Sequence, residues 1–346
     1  MASRESITYK DAGVDISAQN QALDSAKEAI RRSFTPGVVG DVGLFGGLFD
    51  PARVGAEGSI LVASADGVGT KIQVARMAGV YDTVGRDLVQ HCIGDILVQG
   101  ARPLFFMDYV GTGRLDPDVV AGIISGCANA CRDNGLALLG GETAEMPGVY
   151  QGGDFDLVGF IVGCVARDRL LDGSRVRAGQ VLLGLPSSGL HTNGYSLARK
   201  IVFERLGLEI GSTPKELGGT SVADALLAPH RSYLESVWPL LEADQVRAMA
   251  HITGGGLLEN VPRSLPGMRA VIDRSTWEIP PLFQWLCEGG ALDRDESYRV
   301  FNMGIGLVLV VEAEDVEDVT ASLQSRGEQV FRIGHVEAGE EGVEWA

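Results

Sequence analysis

Ile60-Leu61-Val62-Ala63, followed at once by Asp66-Gly67-Val68-Gly69-Thr70-Lys71, is the stretch on which the reading of this chain turns. The apolar run reads as a buried strand. Behind it a carboxylate, two glycines, a hydroxyl and an ammonium arrive within six residues. Glycines let the backbone approach a bulky anion closely, and the N–H groups of such a loop can point at it. Lys71 can neutralise phosphate charge, and Asp66 can hold a divalent cation that bridges phosphates. This is the grammar of a nucleotide triphosphate loop, although neither the Walker A spacing nor a Gly-x-Gly-x-x-Gly turn is present. A tight turn with a solvated lysine is the competing reading, so the stretch gains weight only from others like it.

Working outward, strands and helices mix along the whole chain, as in an α/β or α+β protein. Upstream, Leu23, Ala26, Ile30 and Phe34 recur at helical spacing, predicting a helix over 16–34 with Lys27 beside its apolar stripe. Residues 38–50 read as a glycine loop. Downstream, the pattern predicts a helix over 84–99 and a strand over 103–111. Asp116-Pro117 opens a further helix with a cap and a proline at its first position, and Asn134-Gly135 closes it. A short strand over 137–139 is expected to deliver Gly140-Gly141-Glu142 as a loop, and 155–165 reads as another strand. The charge-rich stretch 166–179 marks a boundary between domains at 1–172 and 173–346. In the second half, strands are expected near 181–185, 249–253, 270–272, 303–311 and 329–336, with helices between them. The acidic tail after Val336 is expected to fray.

Composition narrows the class. A net charge of −17 with no run of Lys or Arg argues against a nucleic-acid binder. Only five lysines occur, so the placement of Lys27 and Lys71 carries information in a chain that would otherwise repel an anionic substrate. The five cysteines are odd in number and lie mostly in apolar segments, and no histidine joins Cys127 and Cys131 at metal-ligand spacing. They read as buried free thiols of a reducing compartment. No leader sequence or membrane span is apparent, so a soluble, cytoplasmic protein is expected.

Three carboxylates follow or interrupt apolar elements: Asp66, Asp95 and Glu142. Asp95 falls on the apolar face of its helix, where it must be paired, protonated or bound to a cation. Each alone reads as a cap or turn residue; the recurrence favours Mg²⁺ ions bridging phosphate oxygens. A second constellation, Ser187-Ser188-Gly189-Leu190-His191-Thr192-Asn193-Gly194, lies between a strand and a helix. Its hydroxyls and amide suit a phosphate or sugar, and His191 suits proton transfer; a capping cluster with an incidental histidine is the alternative. The third, His251-Ile252-Thr253-Gly254-Gly255-Gly256, opens another helix, and its three glycines suggest close approach of an anion or a second chain. No Gly-x-Ser-x-Gly elbow and no His/Cys cluster for zinc is present.

These stretches, with Tyr9-Lys10-Asp11-Ala12-Gly13-Val14-Asp15 and Gly100-Ala101-Arg102-Pro103-Leu104-Phe105-Phe106, resemble one family over about residues 7–336. The chain is similar to phosphoribosylformylglycinamidine cyclo-ligases, the aminoimidazole ribonucleotide (AIR) synthetases of purine biosynthesis. The Tyr9–Asp15 opening and the string Gly140–Gly148 are specific within the wider superfamily. The resemblance implies a two-domain fold: a β-rich N-terminal domain whose sheet forms a barrel with that of a homodimer partner, and an α/β C-terminal domain. It implies ATP-driven closure of formylglycinamidine ribonucleotide to AIR, ADP and phosphate, with Mg²⁺. It further implies Asp66, Asp95 and Glu142 as carboxylates near Mg-ATP, and Gly67, Gly69, Thr70 and Lys71 as the phosphate loop. Lys27 would reach ATP. Ser187, Ser188, His191 and Asn193, with Thr253, Gly254 and Gly255, would face the substrate. His191, Lys71 and Asp66 are the implied catalytic set. One departure is visible: the family often has Asn before the aspartate at Asp95, where this chain has Gly94, so an amide contact is either lost there or supplied by water. Sister families fit less well. Selenophosphate synthetases need an N-terminal reactive cysteine, hydrogenase-maturation relatives a C-terminal one, and thiamine-phosphate kinases lack the Glu142–Gly148 string. The amidotransferase that makes this substrate is the runner-up by chemistry, and a nucleotide-binding scaffold without turnover is the alternative from another class.

Overall fold

The structure is a computed structural model and describes residue 8 and residues 38–41, 47–54 and 58–346. The helix expected over 16–34 with Lys27, and the Tyr9–Asp15 opening, lie outside the described residues. In chain order the strands and helices of the first half are β1 (Val38–Val39), β2 (Gly47–Phe49), β3 (Ile60–Gly67), α1 (Lys71–Ala78), α2 (Asp82–Leu97), β4 (Arg102–Thr112), α3 (Pro117–Asp133), β5 (Ala137–Glu145) and β6 (Phe155–Val165). Two compact units emerge. One holds the described residues from Val38 to Val68 and Val80–Leu171, and the other holds residue 8, Gly69–Gly79 and Asp172–Ala346. The stretch Asp66–Lys71 is therefore divided, its carboxylate falling in one unit and its hydroxyl and ammonium in the other.

In the first unit a six-stranded sheet runs in the order β1-β2-β3-β6-β4-β5. Neighbours are antiparallel except β4 and β5, which are parallel and joined through α3. β6 shows how the sheet is used. Phe155, Leu157, Gly159, Ile161, Gly163 and Val165 are buried, while alternate residues are open and Phe160 is 48% exposed. Strand periodicity of two puts these sets on opposite faces. α2 covers the buried face, and thirteen of its sixteen residues are buried. It packs closely against α3: a Cβ on Gly126 would come within 2.0 Å of the Asp82 carbonyl, so only glycine fits that crossing. Asp116 caps α3 by accepting from the Asp118 and Val119 amides, with Pro117 at the first position, as the spacing predicts.

Three expectations for this unit fail. Residues 38–50, read as a glycine loop, contribute β1 and β2, which pair antiparallel through Val38 with Phe49 and Val39 with Leu48, and β2 pairs on with β3. Gly140-Gly141-Glu142 is not a loop: β5 continues to Glu145 because its backbone is fully paired with Met107–Thr112 of β4. Ladder hydrogen bonds here outweigh the weak strand preference of glycine. Asp66 and Gly67 likewise still belong to β3, paired with Gly159 and Val158. Lys71 then begins α1, a helix the sequence pattern does not reveal.

The elements of the second unit after α1 are β7 (Val181–Pro186), α4 (Tyr195–Arg199), α5 (Val222–Leu227), α6 (Leu234–Glu242), β8 (Ala248–His251), α7 (Gly256–Asn260), β9 (Met268–Ile272), α8 (Pro281–Gly290), α9 (Arg294–Val300), β10 (Ile305–Val311), α10 (Val316–Gln324), β11 (Phe331–Ala338) and β12 (Gly342–Trp345). Its sheet runs β12-β9-β11-β7-β10-β8. All seven residues of β10 are buried, and each such aliphatic side chain contributes roughly 1.5–3 kcal/mol relative to exposure. α4 passes into a π-helical turn over Lys200–Arg205, where the sequence predicts one continuous α-helix. The tail does not fray. β12 pairs in parallel with β9, and the Arg274 guanidinium lies 4.5 Å from the Trp345 ring and 5.4 Å from that of Tyr298. Ladder pairing with β9 and a cation–π contact thus hold a segment whose acidic composition suggests solvent.

Candidate active site

In the first unit, β3 and α2 bring Asp66 and Asp95 together. Between them stands a residue that sequence reasoning missed, His91, one helical turn before Asp95. Its Nε2 lies 2.6 Å from Asp66 Oδ2 and 3.8 Å from Asp95 Oδ2. Ser64 Oγ donates to Asp95 Oδ2 at 3.1 Å, and the Gly67 amide donates to Asp66 Oδ1 at 2.7 Å. The carboxylates differ in setting: Asp66 is 47% exposed, Asp95 only 6%. Burial disfavours the His91 imidazolium, yet the surrounding Asp66, Asp95 and Asp87 carboxylates outweigh that penalty and push its pKa up to about 9. At neutral pH the cluster therefore carries its own cation. The only clue in the sequence was the i, i+4 spacing of His91 and Asp95, which places both on one helical face.

Glu142 does not join them. It is level with Tyr109, Val158 and Gly67 across the sheet, three strands from β3, a span of about 14 Å at the usual strand spacing. It also points to the other face. Asp66, Gly159, Asp108 and Gly141 form the adjacent row, and a Cβ on Gly141 would meet the Asp108 carboxyl, which is buried and whose pKa burial raises. Glu142, one residue on, turns to the open face. A single divalent ion binds oxygens at roughly 2.0–2.6 Å, so Glu142 shares none with Asp66 and Asp95 in this structure.

The second unit assembles the remaining candidates. β7 and β8 both pair antiparallel with β10, so their C-terminal ends emerge on one edge and carry the Ser187–Gly194 and Thr253–Gly256 loops together. Asn193 Oδ1 comes within 3.4 Å of where a Gly254 Cβ would stand. Asn260 ties the second loop by donating to the Thr253, Gly254 and Gly256 carbonyls. Ser187 Oγ donates to Asn302 Oδ1 at 2.8 Å, and Ser188 Oγ to the Pro229 carbonyl at 2.6 Å. Both serines also line a cleft of about 380 Å³ with Thr220, Asp224 and Leu282.

Lys71 and Thr70 anchor to the same loop. Thr70 Oγ1 meets Ser196 Oγ at 3.0 Å. The Lys71 ammonium is fully buried, donates to the His191 and Ala228 carbonyls at 3.0 and 2.9 Å, and lies 5.5 Å from the Tyr195 ring. The expectation was an ammonium presented to phosphate; here it clamps α1 to the loop. Burial of so costly a charge is offset by these acceptors and the aromatic face.

His191 is likewise internal. It is 1% exposed, has a left-handed backbone at φ 58, and accepts the Ser188 amide through Nε2 at 3.1 Å. A lone pair so engaged is not offered to a substrate proton. The ring stacks on His230 with centroids 3.8 Å apart, and His230 Nε2 meets His251 Nε2 at 3.1 Å. The Arg231 carbonyl, 2.8 Å from His230 Nδ1, can only accept, so that nitrogen carries a proton. Gly306 makes room for the stack, since a Cβ there would come within 2.1 Å of the Tyr233 hydroxyl and 2.6 Å of the His191 ring. His230 and Tyr233 carry no sequence signal; tertiary packing alone brings them here.

Residues 46–165 match the N-terminal domain model of AIR synthase related proteins, and residues 177–346 match its C-terminal domain. A phosphoribosylformylglycinamidine cyclo-ligase of Geobacter metallireducens is 52% identical over 344 residues, covering 98% of each chain. That of Trichlorobacter lovleyi is 50% identical over 337 residues, covering 97% of this chain and 96% of its own. Among solved structures, a thiamine-monophosphate kinase from Stenotrophomonas maltophilia superposes with a TM-score of 0.62 at 19% identity, over 94% of this chain and 95% of its own. The hydrogenase maturation protein HypE of E. coli gives 0.61 at 21% identity, over 95% and 94%. At such identities these two share the fold alone. The matches along both halves and the near-complete identity spans with the cyclo-ligases settle the family: the chain belongs to the phosphoribosylformylglycinamidine cyclo-ligases, the AIR synthetases.

Proposed function

We infer that the chain performs the reaction of its family, the ATP-dependent cyclisation of formylglycinamidine ribonucleotide to AIR, ADP and phosphate in purine biosynthesis. The observation that carries this reading at the site is the convergence of Asp66 and Asp95 on His91 Nε2. The chemistry needs a leaving group. An amide oxygen departs poorly, so the formyl oxygen takes the γ-phosphoryl group of ATP. The amidine nitrogen then attacks the formyl carbon, the C–O bond breaks and phosphate leaves. Little covalent work falls to the protein, which positions groups and stabilises charge.

Asp66 and Asp95 fit Mg²⁺, being two carboxylates whose oxygens lie within 4.8 Å of each other and of His91 Nε2. Such an ion, when bound, neutralises phosphate charge. Gly67, Gly69 and Thr70 shape the backbone beside the phosphates, and Lys27 reaches ATP. Lys71 holds the loop that receives the substrate. Ser187, Ser188, Asn193 and Thr253–Gly255 bind formylglycinamidine ribonucleotide, with His191 positioning the Ser188 amide rather than moving a proton. Glu142, on the other face, serves a separate contact with the nucleotide or its second ion. The N-terminal half, 1–172, binds ATP and dimerises, and 173–346 forms the α/β substrate half. Leu61, Leu104, Met107 and Phe160 leave an apolar face open on the first sheet, which supports a homodimer joined there. No described helix is long and apolar enough to cross a membrane, and a cytoplasmic setting accords with the pathway. The test mixes purified protein, Mg-ATP and formylglycinamidine ribonucleotide and follows both products. Equimolar AIR and ADP are expected. ADP without AIR, or ATP binding without either product, overturns the reading.

A further inference from the structure

We propose that His91 Nε2 is a third ligand, beside Asp66 and Asp95, of a divalent-cation site, and that this nitrogen gives the site a preference for Mn²⁺ over Mg²⁺. The inference rests on the reading of Asp66 and Asp95 as cation ligands and adds to it the identity of the third donor.

Three features of the structure support it. The first is distance. Nε2 and one oxygen of each carboxylate all lie within 4.8 Å of one another. Ligand atoms at neighbouring corners of an octahedron with bonds near 2.1 Å stand about 3.0 Å apart, and the two nitrogen–oxygen separations of 2.6 and 3.8 Å bracket that value. The second is rigidity. His91 and Asp95 sit one turn apart on α2, both nearly fully buried, and Ser64 holds the Asp95 carboxylate from β3. The third is access. Asp66 is half exposed, so the cluster opens to solvent from that side while the nitrogen lies behind it.

Ligand chemistry sets the consequence. Mg²⁺ takes oxygen ligands almost exclusively, whereas Mn²⁺ accepts imidazole with carboxylates. As with any imidazole ligand, Nε2 gives up its proton to solvent on coordination.

The experiment adds Mn²⁺ alone to the metal-free full chain and records pulsed electron paramagnetic resonance, with ¹⁵N-histidine labelling to identify the nitrogen. Directly bound nitrogen coupling is expected, shifting on labelling and absent in His91→Gln. Titration calorimetry should show Mn²⁺ affinity falling about 10–100-fold in His91→Gln while Mg²⁺ affinity changes less than about threefold. Mn²⁺ bound without nitrogen coupling, yet lost in Asp66→Asn, would leave the carboxylate site standing and overturn the ligand role of His91. Absence of any Mn²⁺ binding at Asp66 overturns both. A nitrogen signal that persists in His91→Gln also overturns the proposal.

Discussion

The two halves handle buried imidazole in opposite ways. In the first unit, one histidine is surrounded by carboxylates, and their field keeps it charged despite burial. In the second, His191 stacks on His230 and accepts the Ser188 amide, while His230 hydrogen-bonds to His251 and to the Arg231 carbonyl. The first arrangement stores charge at a site open to a cation; the second fixes the shape of a substrate loop. A histidine in the sequence is therefore no guide to proton transfer: its neighbours decide whether it is a charge or a spacer.

The largest effect expected from that contrast is on turnover. Asp66→Asn should lower kcat/KM for AIR formation by about 10²-fold or more, the usual scale for losing a charge-stabilising group. His191→Gln should cost less if the ring only positions the Ser188 amide. Steady-state kinetics decide, and a His191 variant as crippled as the Asp66 variant would break the comparison. Next in size is Lys71→Met. It strips two buried carbonyls of their donor and should destabilise the second unit by about 1–3 kcal/mol for each acceptor left unsatisfied. Denaturant melts would show this as a lower midpoint at constant slope. Gly306→Ala drives a methyl group into Tyr233 and His191 and should cost about 1–3 kcal/mol by overpacking. An unchanged melt would mean the stack is looser than its contacts imply.

The comparison also carries a pH dependence. The folded pKa of His91 near 9 lies above its ordinary value of 6.5. The folded state thus binds the proton more tightly than the unfolded one. Its contribution to stability is complete below about pH 6.5 and is lost as pH rises through about 9. Thermal melts from pH 6 to 10 in metal-free buffer should show this decline for the wild type and a flatter profile for His91→Gln. No difference between the two would remove the charged histidine from the account.

Local chemistry made part of this architecture legible. β6 matches its expected bounds of 155–165 because alternation and flanking turn residues agree, and α3 starts at its proline for the same reason. The carboxylates Asp66 and Asp95 were legible as an anomaly, one behind a strand and one on an apolar helix face. What stayed hidden depends on partners distant in sequence. Gly140-Gly141 look like loop residues and become strand only because β4 lies alongside. β12 looks like a solvated tail and becomes strand only because β9, Arg274 and Tyr298 receive it. His91 was passed over because its role exists only once β3 crosses α2.

Trp345, held on β12 beneath Arg274, has a bench-top consequence. The chain has four tryptophans, Trp238, Trp277, Trp285 and Trp345, and all lie in the second compact unit. Emission excited at the red edge of protein absorption therefore watches that unit alone and is blind to the unit bearing Asp66 and Asp95. A mismatch between that optical signal and far-ultraviolet dichroism would separate the melting of one half from the other without any added label.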